Sequence, residues 1–295
     1  MMPGSALRDA TLRLLPRPPA TRFAPSPTGY LHLGHVVNAV FVWGLARATG
    51  GRVHFRLENH DRVRCRTPYE TACLEDLAWL GFEPDTGLQP LDRQSDRHHR
   101  YTEALSTLDR QGLVYACECS RRVLGGERYD GRCRARGLER TAGRALRVRM
   151  EQGVASAVDL RHGDLAQRPS EQCGDLTVRD RDGHWTYQFA VTVDDLDQGI
   201  DLVIRGDDLL DSTGRQVALA GLLGRQAPPL FVHHALLFAA SGEKLSKSAG
   251  DTGVRSLRAA GARPDEVIGR AAAAVGLAEP GTRVPASEVR VLFGG

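Results

Sequence analysis

The most informative stretch of this chain runs Arg22-Phe-Ala-Pro-Ser-Pro-Thr-Gly-Tyr-Leu-His-Leu-Gly-His35. Its pattern predicts a short strand, a turn stiffened by prolines, and a helix that begins near the final histidine. The unpaired N–H groups at the start of a helix favour a phosphate, and two imidazoles at the same place can donate hydrogen bonds to phosphate oxygens. A glycine there would let a flat base or a ribose approach the backbone. The stretch therefore predicts a nucleotide site that contains His32, Gly34 and His35.

The lysines indicate a second loop that handles phosphate. Of the 39 basic residues, only Lys244 and Lys247 are lysines, and both lie in Gly242-Glu-Lys-Leu-Ser-Lys-Ser248. An ammonium can follow a phosphate through a reaction as a mobile point charge, whereas a guanidinium binds in a fixed fork. We therefore interpret this lysine loop, residues 242–248, as part of the same nucleotide site.

The composition is that of a globular protein, because 41% of the 295 residues are hydrophobic and 25% are charged. This length suits one large domain with a smaller inserted one. No apolar run approaches the ~20 residues that a membrane-spanning helix needs, and residues 1–20 lack the apolar core of a secretory signal. We therefore expect a cytoplasmic monomer without membrane contact, whose residues 1–20 form a loose N-terminal extension.

Arginines are concentrated between residues 121 and 149, where ten of them accompany only Glu127, Asp130 and Glu139 as acidic residues. Such a concentration of positive charge suits the phosphate backbone of a nucleic acid. The alternative is an ordinary solvated face of an arginine-rich chain.

Strand and helix patterns alternate along most of the chain. Residues 36–49 predict a helix, and residues 52–58 alternate like a half-buried strand, so the two form part of a βαβ unit. We interpret residues 183–195 as an alternating strand that runs into an acidic turn, residues 201–210 as a strand with Arg205-Gly206 at its carboxyl end, and residues 229–238 as the last buried strand before the lysine loop. The carboxyl ends of parallel strands meet at one edge of an open sheet. The chain is therefore expected to be α/β, a Rossmann-like doubly wound parallel sheet with its cleft at that edge.

Three cysteines lie close together in a segment that is poor in apolar residues. Closely spaced thiolates such as Cys117, Cys119 and Cys133 suit Zn²⁺, which takes a fourth ligand in a tetrahedral structural site. The spacing leaves Tyr129, Asp130 and His162 open as that ligand, and leaves free thiols as the alternative to a zinc site.

Together, H-L-G-H at 32–35 and K-L-S-K-S at 244–248 resemble the signature pair of the class I aminoacyl-tRNA synthetases. The longer stretch 22–35 is similar to the form found in the glutamyl branch, and the likeness covers residues 22–248. The resemblance implies that a carboxylate attacks the α-phosphorus of ATP and releases pyrophosphate, with Mg²⁺ carried by the phosphates. Positive charge must then stabilise the transition state. We assign catalysis to His32, His35, Lys244 and Lys247, and ATP binding to His32, Gly34, His35 and Lys247.

Glutamate carries two carboxylates and one ammonium, so its site needs guanidinium groups and a carboxylate. Arg22 and Arg205 lie at the ends of predicted strands, Glu58 would accept from the ammonium, and Tyr187 would donate a hydroxyl hydrogen. The chain departs from the family pattern at Asn59, His60 and Gly214. The positions that match the family's glutamate-binding set are Arg22, Ala24, Ser26, Glu58, Tyr187 and Arg205.

The cysteine spacing C-x-C…Y-x-x-x-C resembles the zinc module of the glutamyl-Q tRNA(Asp) synthetases. That resemblance implies one structural Zn²⁺ held by Cys117, Cys119, Tyr129 and Cys133. Few residues follow the lysine loop, so no anticodon-binding domain of the usual kind is expected. The resemblance thus implies activation of L-glutamate by ATP without a tRNA, and transfer of glutamate to queuosine in the anticodon loop of tRNA(Asp).

Three alternatives remain open: a minimal glutamyl-tRNA synthetase that charges a tRNA 3′ end, a cytidylyltransferase-type enzyme with H-x-G-H, and a non-enzymatic RNA-binding protein. The expected organisation has five parts. They are the extension 1–20, the first half of the catalytic domain 21–112, a zinc-binding insertion 113–175, the second half of the catalytic domain 176–240, and the lysine loop with a short helical C-terminal segment 241–295.

Overall fold

The structure is a computed structural model that describes residues 3–120, 128–237 and 253–295. Its strands are β1 Ala20–Phe23, β2 Arg52–Phe55, β3 Val114–Cys117, β4 Ala145–Val148, β5 Ala155–Asp159, β6 Gly163–Gln167, β7 Leu176–Arg179, β8 Leu202–Gly206 and β9 Leu230–His234. Its α-helices are α1 Gly4–Leu14, α2 Leu33–Ala48, α3 Thr67–Leu80, α4 His98–Arg110, α5 Pro169–Gln172, α6 Tyr187–Asp197, α7 Thr213–Leu222, α8 Val254–Ala259 and α9 Pro264–Ala274. Short 3₁₀ helices occupy Gln94–Asp96, Asp207–Ser212 and Ala286–Phe293.

Parallel strands form the centre of the molecule. β1 pairs with β2, β8 pairs with β9, and β9 pairs with β5, all in parallel, while β6 adds an antiparallel edge to β5. β1 runs beside β8, because the Asp201 N–H donates to the Ala20 carbonyl at 3.0 Å. The spatial order is therefore β2-β1-β8-β9-β5-β6. This confirms the expected Rossmann-like α/β architecture, in which the strands end at one common edge.

Helix α2 is the main packing element of the core. Most of its residues between Val36 and Ala46 are buried, as expected of a helix covered on nearly every side. It lies between the sheet, α9 and the 3₁₀ helix Ala286–Phe293. At Gly44 a Cβ would lie 2.2 Å from the Phe293 ring, so only glycine permits this close approach.

The prediction of a loose N-terminal extension is wrong. Residues 4–14 form α1, whose Leu7 is fully buried in the main core. The helix packs on the 3₁₀ helix Ala286–Phe293 near the other end of the chain. Burial of apolar side chains on both segments fixes them, although neither segment has a strong local pattern.

The predicted strand over residues 183–195 is also wrong, because α6 begins at Tyr187 and runs to Asp197. The alternation of β-branched residues there favours a strand. The helix is selected instead by its packing, since it buries Phe189, Ala190 and Val193 in a second core cluster with α4 and β7. The strand predicted to end at Arg205-Gly206 is confirmed as β8, and the strand predicted over 229–238 is present as the shorter β9.

Strands β3, β4 and β7 form a separate antiparallel sheet. Next to it lies a small cluster of buried side chains: Tyr115, Cys117, Tyr129, Cys133 and Ala145. Among the described helices, none combines the length and the apolar character that crossing a bilayer requires.

Candidate functional site

A cavity of about 730 Å³ opens at the carboxyl ends of β1, β8 and β9. Ligands of open α/β sheets bind at this edge. The structure brings the predicted nucleotide and glutamate residues together there, apart from Lys244 and Lys247, which lie outside the described residues. The predicted residues that line the cavity are Arg22, Ala24, Ser26, His32, Gly34, His35, Glu58, Tyr187 and Arg205.

The histidines of the first motif cap helix α2. The Gly34 N–H donates to Nδ1 of His32, and the His32 N–H donates to Nδ1 of His35, both at 3.1 Å. Each Nδ1 is therefore an acceptor, so each neutral ring carries its proton on Nε2. The helix begins at Leu33, slightly earlier than predicted, and His32 is its N-cap. This arrangement supplies two ring donors beside the positive end of a buried helix.

Both described ends of the segment that holds the lysine loop lie at this cavity. Leu236 and Leu237 line it immediately before residue 238. On the other side, Gly253 forms a bridge with His32, and the Val254 N–H donates to the Leu31 carbonyl at 2.9 Å. The described chain therefore stops at this cavity at residue 237 and resumes beside His32 at residue 253.

Arg205 is a buried cation with neutral partners. Its guanidinium donates to Nε2 of His233 at 2.9 Å, to Oε1 of Gln216 at 2.6 Å and to the Thr213 hydroxyl at 2.8 Å. Only 4% of Arg205 is exposed, and within the described ranges no carboxylate forms an ion pair with it. Burial lowers the pKa of Arg205. The charges of Asp195 and Glu58 oppose this shift from further away, but a buried cation with no carboxylate in direct contact still favours an anionic ligand in the cavity.

Arg22 has a different environment, because its charge is compensated inside the protein. Its Nε donates to both carboxylate oxygens of Asp195 at 3.1 Å, and its Nη1 donates to the Ile204 carbonyl at 3.2 Å. Asp195 also lies 3.0 Å from Nη2 of Arg56, which in turn donates to Glu58 at 2.9 Å. Arg22 and Glu58 are thus held in one buried ionic network, with Glu58 facing the cavity.

Tyr187, the first residue of α6, lies close enough to Glu58, Arg205 and Arg22 for their charges to act on its hydroxyl. Burial, and then the charge of Glu58, raise the pKa of Tyr187 to about 12. Its hydroxyl therefore stays protonated at neutral pH and remains a hydrogen-bond donor.

The site also contains residues that the sequence does not predict. Asp195 and Arg56 support Arg22 and Glu58, while Gln216, Thr213 and His233 surround Arg205. They come from α6, α7, β9 and the residue that follows β2, so the fold brings them together and their spacing along the chain does not. His234 and Asn38 also line the cavity, and burial lowers the pKa of His234 to about 4, so its ring is neutral.

Next to the small antiparallel sheet, Cys117, Cys119 and Cys133 place their sulfur atoms within 4.8 Å of one another. The Cys119 and Cys133 sulfurs are 3.7 Å apart, close to the ~3.8 Å expected for two thiolates on one tetrahedral Zn²⁺. The Tyr129 hydroxyl lies 3.6 Å from the Cys117 sulfur. These four side chains therefore fit the predicted zinc ligand set.

The other two candidates for the fourth ligand are wrong. Asp130 is exposed and binds Arg132 at 2.9 Å, and the ring of His162 binds Asp207 at 2.8 Å. By contrast, Tyr129 is buried, accepts from the Cys133 N–H at 3.0 Å, and has the Arg147 guanidinium 3.7 Å above its ring. The Cys133 N–H favours negative charge on the phenol oxygen, but burial and the neighbouring thiols raise the pKa of Tyr129, so a bound cation would be needed to hold it as a phenolate ligand.

Comparison with known proteins agrees with this geometry. Residues 20–277 match the family described as tRNA synthetases class I (E and Q), catalytic domain. A glutamyl-Q tRNA(Asp) synthetase from Pseudomonas aeruginosa strain LESB58 is 40% identical over 269 residues, covering 87% of this chain and 90% of that protein. A second protein of that name, from Cupriavidus metallidurans, is 43% identical over 243 residues, covering 78% of this chain and 77% of that protein.

Among solved structures, glutamate-tRNA synthetase from Elizabethkingia anophelis is similar, with a TM-score of 0.76 and 25% identity. The match covers 94% of this chain but 65% of that one, so this chain spans just under two thirds of that synthetase. The cytidylyltransferase and non-enzymatic alternatives are therefore wrong, and the protein is a ligase of the synthetase type. The chain belongs to the family of class I tRNA synthetases for glutamate and glutamine, within which the relatives of similar length are glutamyl-Q tRNA(Asp) synthetases.

Proposed function

We propose that this enzyme uses ATP to convert L-glutamate into glutamyl-adenylate without a tRNA, and then transfers glutamate to queuosine in the anticodon loop of tRNA(Asp). The observation that carries the first step is the buried guanidinium of Arg205, whose direct described partners are neutral, in the same cavity as Glu58 and the helix-capping histidines. An anionic group and an ammonium can both be bound there within reach of a phosphate site. The names of the similar proteins support the second step.

In this proposal, Arg205, Arg22 and the Tyr187 hydroxyl bind the carboxylates of glutamate, and Glu58 accepts from the ammonium. The backbone of Ala24 and the hydroxyl of Ser26 form the adjoining wall. The Nε2–H groups of His32 and His35 donate to ATP phosphates as the substrate carboxylate attacks the α-phosphorus. Lys244 and Lys247 are proposed to neutralise the departing pyrophosphate together with Mg²⁺.

The test of activation is ATP–pyrophosphate exchange in the absence of tRNA. We expect exchange with L-glutamate and much less with L-glutamine, because glutamine offers Arg205 no charge. A protein that is folded and loaded with zinc but gives no glutamate-dependent exchange would refute activation.

The acceptor is tested with an isolated anticodon stem-loop of tRNA(Asp). This RNA has no acceptor end, so it separates the proposed reaction from that of a minimal glutamyl-tRNA synthetase. We expect labelled glutamate to appear on the stem-loop that carries queuosine and not on the one that carries guanosine. Labelling only of intact tRNA, whether or not it contains queuosine, would favour 3′-end charging.

Replacing Gly34 with Ala is expected to lower kcat of exchange about 10²-fold, the effect of losing one electrostatic donor. A Cβ at this position would lie 2.9 Å from Cε1 of His32, so the His32 ring must move from its position at the N-terminus of α2. The matched control is Gly221→Ala in α7, where a Cβ meets open space; it should stabilise the fold by about 0.5–1 kcal/mol and leave exchange unchanged. Equal kcat for both variants would contradict the assigned role of His32.

We also propose that Cys117, Cys119, Tyr129 and Cys133 hold one structural Zn²⁺. The protein purified without chelator should contain about one zinc per chain, and Cys119→Ser should remove most of it. Tyr129→Phe should weaken zinc binding and leave the three thiols in place, whereas Cys73→Ala, which changes a core cysteine outside the cluster, should keep full occupancy. Unchanged zinc content and affinity in Tyr129→Phe would rule out the phenol as a ligand.

A further inference from the structure

Arg205 contacts a buried histidine that does not line the cavity. His233 is the fourth residue of β9 and pairs in register with Arg205 on β8. Its Nε2 accepts from Nε of Arg205 at 2.9 Å, and its side chain is completely buried. An arginine Nε always carries a hydrogen, so Nε2 of His233 must be the unprotonated nitrogen.

Asp159, the last residue of β5, fixes that form of the ring. Its Oδ2 accepts from Nδ1 of His233 at 2.6 Å and from the His233 N–H at 3.0 Å. Its Oδ1 accepts from the N–H groups of Arg161 and His162, both at 2.8 Å. Both oxygens are thus occupied by donors, so Asp159 can only act as an acceptor and the ring proton is held on Nδ1.

We propose that Asp159 and His233 are positioning residues for glutamate binding: they hold Arg205 through a neutral imidazole and leave its charge for the substrate. This inference rests on the proposed function, in which Arg205 binds a glutamate carboxylate. It adds two residues that do not touch the cavity and act through Arg205.

The intervening ring explains why a carboxylate can orient Arg205 without neutralising it. In direct contact, as between Asp195 and Arg22, an aspartate forms an ion pair and competes with an incoming anion. Because the His233 imidazole lies between them, the Asp159 carboxylate is one ring width further from Arg205. The Arg205 guanidinium still has a fixed acceptor, Nε2 of His233. Gln216 and Thr213 complete the same neutral set.

The surroundings of His233 favour its neutral form. Burial, and also the positive charge of Arg205, lower the pKa of His233, while Asp159 and Asp207 oppose that shift. The groups around the ring are Arg205 from β8, Asp159 from β5, His162 from the turn after β5, Asp207 from the 3₁₀ helix and Thr213 from α7. A proton on Nε2 would face the Nε–H of Arg205, so a charged ring would displace the guanidinium.

The decisive variants are Asp159→Asn, His233→Leu and His233→Gln, measured by pyrophosphate exchange with each substrate varied in turn. In Asp159→Asn, the amide N–H₂ must face either the donors of His233 or the N–H groups of Arg161 and His162. In His233→Leu, the acceptor for Nε of Arg205 is lost. Both should raise KM for glutamate about 10- to 100-fold, the usual effect of losing an outer-shell partner. KM for ATP should stay within about 2-fold, because the histidines at α2 are untouched.

The glutamine variant is the rescue. Its amide oxygen can accept from Arg205 while its N–H₂ donates to Asp159, so it reproduces a neutral imidazole. We expect it to recover most of the glutamate affinity that the leucine variant loses. The matched control is His184→Gln, which alters another histidine–aspartate pair, His184 with Asp180 at 3.4 Å, that contacts neither Arg205 nor the ionic network of Arg22 and Glu58. It should leave KM for glutamate unchanged.

Folding is monitored in the same samples by thermal unfolding with and without glutamate. If Asp159 and His233 only stabilise the fold, their variants should have a lower melting temperature and a smaller active fraction. KM for glutamate should then not rise relative to KM for ATP. The inference is overturned if Asp159→Asn and His233→Leu leave KM for glutamate unchanged, if they raise both KM values equally, or if leucine and glutamine behave alike. A wild-type enzyme without glutamate-dependent exchange would overturn the proposed function as well, whereas normal wild-type exchange with unaffected variants overturns the positioning role alone.

Discussion

In the Arg205→Leu variant, we expect kcat/KM for glutamate activation to fall about 10²- to 10³-fold. Arg205 is buried, and its described partners are all neutral, so a substrate carboxylate would be its counter-ion in the complex. Truncating one member of a buried charge pair costs about 2–5 kcal/mol, and each 1.4 kcal/mol is a factor of about ten. The loss should appear chiefly in KM for glutamate, with KM for ATP little changed.

The chain provides a matched control for this substitution. Arg225 is also partly buried and desolvated, with its pKa lowered by burial, and it donates to the carbonyls of Ile200 and Ala227 away from the cavity. Arg225→Leu should therefore lower stability without changing KM for glutamate. If Arg205→Leu kept a normal KM for glutamate, or if Arg225→Leu raised it equally, Arg205 would not be the carboxylate ligand.

The sequence alone identifies Arg205 as a member of the site but does not reveal its electrostatic state. A motif match places an arginine at the end of a strand. Whether that charge is available depends on partners contributed by α7 and β9, which lie 8 to 28 residues further along the chain. Arg22 shows the opposite outcome, because a residue of α6 compensates it. Composition and spacing cannot distinguish these two arginines, since the difference is produced by tertiary packing.

Helix α6 illustrates the same limit for secondary structure. The residues from Val191 to Val193 alternate as in a strand, and the intrinsic preference of β-branched residues favours that interpretation. In the helix, Asp194 pairs with Arg97 and Asp195 pairs with Arg22, and Arg56 lies within ion-pair distance of both aspartates. The long-range ionic network and the apolar contacts outweigh the local preference.

The second large effect is expected for Asp195→Asn, which should destabilise the fold by about 3–5 kcal/mol. Asp195 is 8% exposed and is shared by Arg22 and Arg56, both of which are buried. Removing its charge leaves two buried guanidinium groups with less compensation, and the amide would point an N–H₂ toward one of them. Equilibrium unfolding in urea should show a lower midpoint.

The pH dependence of unfolding tests the same network. Burial acts to raise the pKa of Asp195, but Arg22 and Arg56 outweigh it, so the pKa lies below its ordinary value in the folded protein. A carboxyl whose folded-state pKa is depressed contributes stability above its unfolded pKa of about 4, and that contribution is lost as the pH falls toward the folded value. The Asn variant should therefore lose less stability than the wild type on acidification.

The control for Asp195 is Asp109→Asn, which removes an exposed ion pair with Arg140 at 2.5 Å. Exposed pairs contribute about 0–1 kcal/mol, so this variant should unfold close to the wild type. Because Asp195 holds Arg22 at the cavity, its variant should also raise KM for glutamate, and that rise should persist at temperatures where the protein is fully folded. A stable Asp195→Asn protein with normal glutamate binding would mean that Arg22 and Arg56 do not depend on this carboxylate, and the network would have no role in shaping the site.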